Sequence, residues 1–168
     1  PVQLLRKYLE AGRYSDVLRL TEQLKKWRIP LDGIALGTAA HSEMGLNPTS
    51  HSIQHYQPQV RELSISAQEP FFSEIAVAAS SLLSLSSSSL SSSSSSSSTT
   101  SFTDEDAKKV HHAATAAAVW SAHFYITSKV APDSHAMPAL VSVLLSGGHH
   151  LAFLELMAQL PIDPEVVG

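Results

Sequence analysis

No cysteine occurs among the 168 residues. That absence excludes a disulfide scaffold, a cysteine nucleophile, thiolate zinc sites and iron–sulfur ligation. Charge is scarce as well: 15 % of residues are charged, against roughly 25 % in an ordinary soluble domain. No apolar run reaches the about 20 residues that a membrane-crossing helix requires. The longest, Ile75 to Leu85, is interrupted by serine, so the chain is expected to be soluble, with no membrane partner. The motifs of common enzymes are missing too. There is no Gly-x-Ser-x-Gly elbow, no glycine-rich phosphate loop, no His-Glu-x-x-His pair and no paired acidic motif in a cleft-forming context. A non-catalytic protein with no cofactor and no small-molecule substrate is the expectation. The chain opens at Pro1 without a Met, as expected of a processed product whose targeting segment is no longer attached.

Serine is what the sequence has in excess, at 16 of the 22 positions from Ser80 to Ser101. Such a tract has little to bury and no charge, and is predicted to form an extended, mobile insertion between structured parts. About 145 residues then remain, enough for one modest core. The expected division is 1–79, helical hairpins; 80–102, the serine-rich insertion; and 103–168, further helical hairpins.

Charge is distributed unevenly. Residues 1–30 contain seven Lys or Arg and three Asp or Glu, a net of +4, and the rest of the chain contains four and twelve, a net of −8. Any contact with nucleic acid is therefore expected in the first thirty residues, because neutralising phosphates requires clustered cations.

Apolar residues recur every three to four positions throughout, the spacing of amphipathic helices, and no alternating strand pattern occurs. The reading is all-α. Leu4, Leu5, Tyr8 and Leu9 share one stripe. Gly12 is placed to end that helix, Ser15 and Asp16 to cap the next, and Pro30 to stop it. Asp32 is read as the N-cap of a third helix, ending at Gly45. A fourth is predicted from Thr49 to Leu63, split by Pro58. The next is predicted to open at Glu69 and Pro70, and the one beyond the serines at Thr103, with Asp106 at capping-box spacing. Asp133 and Ser134 open a helix that Gly147 and Gly148 break, and the last runs from Leu151 to Leu160.

An internal repeat connects the two ends. Leu4, Leu5, Gly12, Val17, Leu18, Leu20 and Leu24 fall on Leu140, Val141, Gly148, Phe153, Leu154, Leu156 and Leu160 at one constant offset. Four hairpins of about 35 residues result, at 1–31, 32–66, 67–128 with the insertion inside, and 129–168. The Leu-Leu pair, the Gly eight residues after its first Leu, Val17, Leu24, Ile29 and Asp32 resemble the pattern of the pentatricopeptide repeat family. That resemblance implies an α-solenoid of helical hairpins. It also implies work in mitochondria or plastids, here a mitochondrial location as an adaptor or structural subunit of a ribonucleoprotein such as the mitochondrial ribosome. Other protein subunits and ribosomal RNA are the implied partners. The alternatives are a free RNA-processing factor and a protein-only scaffold.

Members of that family that read single-stranded RNA use polar side chains near the start of each first helix and at the end of each repeat. The matching positions here are Val2 with Asp32, Gly37 and Pro138. Val, Gly and Pro offer no side-chain hydrogen bond to a base, which argues against a base code. The expected RNA contact is instead the basic surface of Arg6, Lys7, Arg13, Arg19, Lys25, Lys26 and Arg28, with Asp32 the one polar code position. A solvated surface with Glu22 and Lys26 paired is the plainer alternative. Nine histidines raise a metal question. His51 and His55 stand four apart, with Glu62 a conceivable third ligand, but no third ligand has motif spacing, and no metal is expected.

Overall fold

A computed structural model describes residues 2–47, 52–91 and 104–158. Its elements are α1 (Val2–Glu10), α2 (Tyr14–Lys26), α3 (Gly33–Leu46), a 3₁₀ turn (Ser52–Tyr56), α4 (Gln57–Arg61), α5 (Ile65–Ser91), α6 (Asp104–Ser128), α7 (Ala136–Ser146) and α8 (His150–Ala158). Among the described residues there is no strand, so the all-α expectation holds.

Two of the predicted breaks are built from the same turn. Gly12 and Gly148 have φ of +73° and +76°, a conformation that costs glycine nothing. The Gly12 N–H donates to the Leu9 carbonyl and the Arg13 N–H to that of Tyr8; Gly148 and His149 donate likewise to Leu145 and Leu144. Asp32 caps α3 as expected, its Oδ1 accepting the Ala35 N–H at 2.8 Å.

Several boundaries differ from the expectation. Ser15 and Asp16 do not cap α2, which already begins at Tyr14. The Asp16 carboxylate instead holds Arg13 and Arg19. The predicted fourth helix is a 3₁₀ turn followed by α4, with Pro58 in the first turn of α4, where its missing N–H costs no helical bond. Thr49 lies outside the described residues. Helix α5 begins at Ile65, ahead of Glu69 and Pro70, and Pro70 is carried inside it. Asp133 caps α7 from a distance, its Oδ1 accepting the N–H groups of His135 and Ala136. Thr103 and Leu160 lie outside the described residues.

The largest correction concerns serine. Helix α5 continues to Ser91, so the boundary expected at residue 80 falls within a helix. Leu82 and Leu83 are buried in the core, and the Ser81 and Ser84 hydroxyls donate back to the carbonyls of Val77 and Ser80, one helical turn earlier. The remainder of the tract, from 92 to 101, is outside the described residues.

Helices α3 and α5 approach closely because glycine permits it. A Cβ on Gly33 would lie 1.8 Å from the Ala67 carbonyl oxygen, and one on Gly37 would lie 3.0 Å from the Glu74 Cβ. Aromatic rings fill the seam between α5 and α6: Phe72 stacks on Phe124 with centroids 4.4 Å apart, and Trp120 meets Phe71 and Phe72 edge-on. The Ser121 hydroxyl, fully buried, donates across this seam to the Phe72 carbonyl. The substantial contacts run in chain order: α1 with α2 and α3, α2 with α3, α3 with the 3₁₀ turn and α5, α4 with α5, α5 with α6 and α7, α6 with α7 and α8, and α7 with α8.

Candidate functional site

Two surfaces gather polar side chains. The first is a groove of about 340 Å³ lined by Arg6 of α1, Ile34 of α3, Glu69, Ser73 and Glu74 of α5, and Asp133 and His135 ahead of α7. The polar groups in it are largely committed to one another. Glu74 accepts from Arg6 at 3.2 Å and faces His41 Nδ1 at 2.7 Å. Burial pushes the Glu74 carboxyl up, but His41 and Arg6 together outweigh burial and hold it below its ordinary value. Ser73 donates to Asp133 at 3.0 Å, and the Tyr125 hydroxyl to Glu69 at 3.3 Å. Burial and the charge of Asp133 raise the Glu69 carboxyl; burial and Glu69 raise the Tyr125 phenol. Three carboxylates against one arginine make this groove unfavourable for a phosphate backbone.

The second surface is the end of α2 and the turn after it. Lys25, Arg28, Ile29, Pro30 and Leu31 line one side of an open hollow of about 580 Å³, with Gln59, Glu62 and Leu63 opposite. Arg28 has φ +57°, the left-handed conformation that ends the helix. Trp27 caps the helix and is 65 % exposed.

The eight residues singled out from the sequence therefore divide. Arg6 is tied to Glu74, Arg13 and Arg19 to Asp16, and Lys25 to Glu22 at 3.4 Å, the last in place of the expected pairing of Glu22 with Lys26. Arg13 also lies over the Tyr8 ring. Lys7, Lys26 and Arg28 are exposed and have no ion-pair partner among the described residues. Asp32 spends one carboxylate oxygen on the α3 cap. Of the other code positions, Gly37 is buried against α5 and Pro138 is exposed. Trp27 is the residue that sequence reasoning missed. Its signal was local: it stands between Lys26 and Arg28, immediately before the turn.

His51 lies outside the described residues, and His55 faces Glu43 at 3.4 Å. Among the described residues, no group of three metal-ligating side chains comes together. No protein family, no curated protein and no solved structure matches this chain.

Proposed function

We propose that the chain is an α-solenoid of four pentatricopeptide-like hairpins, acting as a non-catalytic adaptor or structural subunit of an organellar ribonucleoprotein such as the mitochondrial ribosome. The hairpins would be α1 with α2, α3 with α4 and its 3₁₀ turn, α5 with α6, and α7 with α8. Two features support the solenoid: the substantial helix contacts fall within a hairpin or between successive ones, as expected of stacked units, the Arg6–Glu74 pair from the first to the third hairpin excepted, and the first and last hairpins turn on the same glycine geometry. The organellar setting follows from the resemblance alone.

One observation carries the RNA contact. At the end of α2, away from the hairpin turn, an indole 65 % exposed is flanked in sequence by two cations, Lys26 and Arg28. An aromatic face stacks on any base, and flanking cations meet phosphates, a combination that binds RNA without reading its sequence. The committed carboxylates of the groove make a base code there the weaker alternative. Binding of unrelated RNA oligonucleotides in a salt series tests the reading. Trp27→Ala is expected to weaken binding about tenfold on every sequence. Replacing Lys7, Lys26 and Arg28 together by Ala is expected to weaken it further and flatten its salt dependence. RNA affinity that is absent at low salt, or unchanged in these variants, would favour a protein-only scaffold, the reading to which the acidic groove and the paired Arg6, Arg13 and Arg19 otherwise lend weight.

A further inference from the structure

A third, smaller cleft, of about 160 Å³, is lined by residues of α4, α5 and α6. Helix α4 meets the 3₁₀ turn and α5 but has no substantial contact with α6, and the cleft is the space left among the three. Its apolar lining is largely aromatic. Phe72 and Phe124, both buried, stack at 4.4 Å, and half-buried Trp120 stands edge-on to Phe72 at 5.2 Å. Rings packed against one another in this way form a firm apolar surface.

The polar lining carries one sign of charge. Among the described residues no Asp or Glu lines the cleft, whereas Glu62 belongs to the hollow beside α2 and Glu69 to the acidic groove. Arg61, which is exposed, is the one Lys or Arg between residues 29 and 107. Neither it nor exposed His123 has an ion-pair partner among the described residues. The Thr127 hydroxyl already donates to the His123 carbonyl and the Gln68 amide to that of Leu63, both at 2.8 Å. The uncommitted donor side chains are therefore those of Arg61, His123 and Gln57.

Size and charge together select the occupant. Pockets that enclose a drug-sized molecule hold about 300 Å³ or more; this cleft has about half that, room for one aliphatic side chain. Buried rings give a nucleobase no open face to stack on. Donors with no carboxylate of their own are complementary to one brought from outside.

We propose that the cleft among α4, α5 and α6 is a docking site for a short acidic segment of a partner protein. One aliphatic side chain of the segment enters against Trp120, Phe72 and Phe124, and a neighbouring carboxylate pairs with Arg61, whose planar fork suits it. His123 and Gln57 donate to the segment's remaining acceptors. An apolar anchor in a pocket, with charge at its rim, is how a small interface concentrates its binding energy. The inference rests on the adaptor reading for the existence of a protein partner, and not on the RNA contact at Trp27, which lies outside this cleft.

Random peptides displayed on phage and selected on the full chain test it, followed by titration calorimetry of synthetic copies. The enriched peptides are expected to combine an aliphatic residue with a nearby Asp or Glu. Arg61→Glu is expected to weaken them about tenfold. Thr127→Phe, which puts a ring at the exposed edge of the cleft, is expected to do the same by filling it. Both positions are exposed, so the melts of both variants should match that of the parent chain. Copies of the peptides with Lys in place of Asp and Glu should bind Arg61→Glu better than the parent chain, a reversal that loss of folding does not produce. Trp27→Ala should leave peptide affinity within a factor of about two. A chain that binds acidic peptides at the cleft and leaves RNA unbound would keep the docking site and lose the ribonucleoprotein reading. Selection that enriches no acidic peptide, or affinities unchanged in Arg61→Glu and Thr127→Phe, would overturn the proposal. So would a stronger effect of Thr127→Phe on octanoate or polyuridine than on the peptides, the sign of a small carboxylate or of RNA.

Discussion

The first hairpin and the centre of the molecule keep their helices together by opposite means. In α1–α2, large apolar side chains do it: Leu5, Val17 and Leu24, with Ala35 of α3, form a small separate core, and the surface around it carries most of the positive charge. In α3, α5 and α6, what matters at the tightest point is the lack of a side chain, with Gly33 and Gly37 letting two backbones approach while aromatic rings fill the adjoining seam. The centre therefore has little tolerance for added volume. The hairpin depends on keeping the volume it has, and its outer surface is free to serve contacts.

The sharpest way to break the centre is Gly33→Ala. The new methyl would meet a backbone oxygen that cannot rotate away, so α3 and α5 must separate. Global destabilisation of about 3 kcal/mol is expected, read as a lower midpoint in a urea melt. A melt unchanged within about 0.5 kcal/mol would show that the approach is not constraining.

Leu5→Ala sharpens the contrast from the other side. Leu5 is fully buried, and its truncation is expected to cost about 2 to 4 kcal/mol in the hairpin. Because the two cores are distinct, amide exchange should rise in α1 and α2 well before it rises in α5 and α6. A uniform rise across all helices would mean that the two regions fold as one unit.

The smallest expected effect is at the clasp between them. Glu74 on α5 holds Arg6 of α1 and His41 of α3. Its carboxyl is held below the ordinary value, so the unfolded chain takes up the proton first on acidification. The stability it contributes is complete at neutral pH and is lost as pH falls through the ordinary carboxylate range and below. Glu74→Gln is expected to cost about 1 to 2 kcal/mol at pH 7 and to remove this part of the acid sensitivity. A variant whose stability falls with acid as steeply as before would assign the sensitivity elsewhere.

What could be read from the sequence follows the range of the interaction. Asp32 as a cap, Gly12 and Gly148 as breaks and the helical class were legible because each is fixed by residues three or four apart. The close-packing role of Gly33 and Gly37 was not, since a glycine that admits a neighbouring backbone looks the same in sequence as one that merely weakens a helix. Serine misled for a related reason: Ser80 to Ser91 remains helical with Leu82 and Leu83 anchored in the core, and composition alone does not register that anchor. At the candidate site, the cations were visible but not all of their partners. Arg6 meets a carboxylate from a helix far along the chain, whereas Asp16 takes up Arg13 and Arg19 from three residues away on either side, a pairing that local spacing already carries.

The chain-order contacts have a consequence for how the molecule forms. Most helix contacts join elements close in chain order, with the Arg6–Glu74 pair between α1 and α5 a longer-range exception, and short loops are quick to close. Folding is therefore expected to be fast and to start at the tightest closures, the glycine turns of α1–α2 and α7–α8, spreading from them one hairpin at a time. The widest interval to be bridged in that order is the serine-rich stretch between α5 and α6. By the logarithmic cost of loop closure, halving its length should shift the folding rate by no more than about threefold.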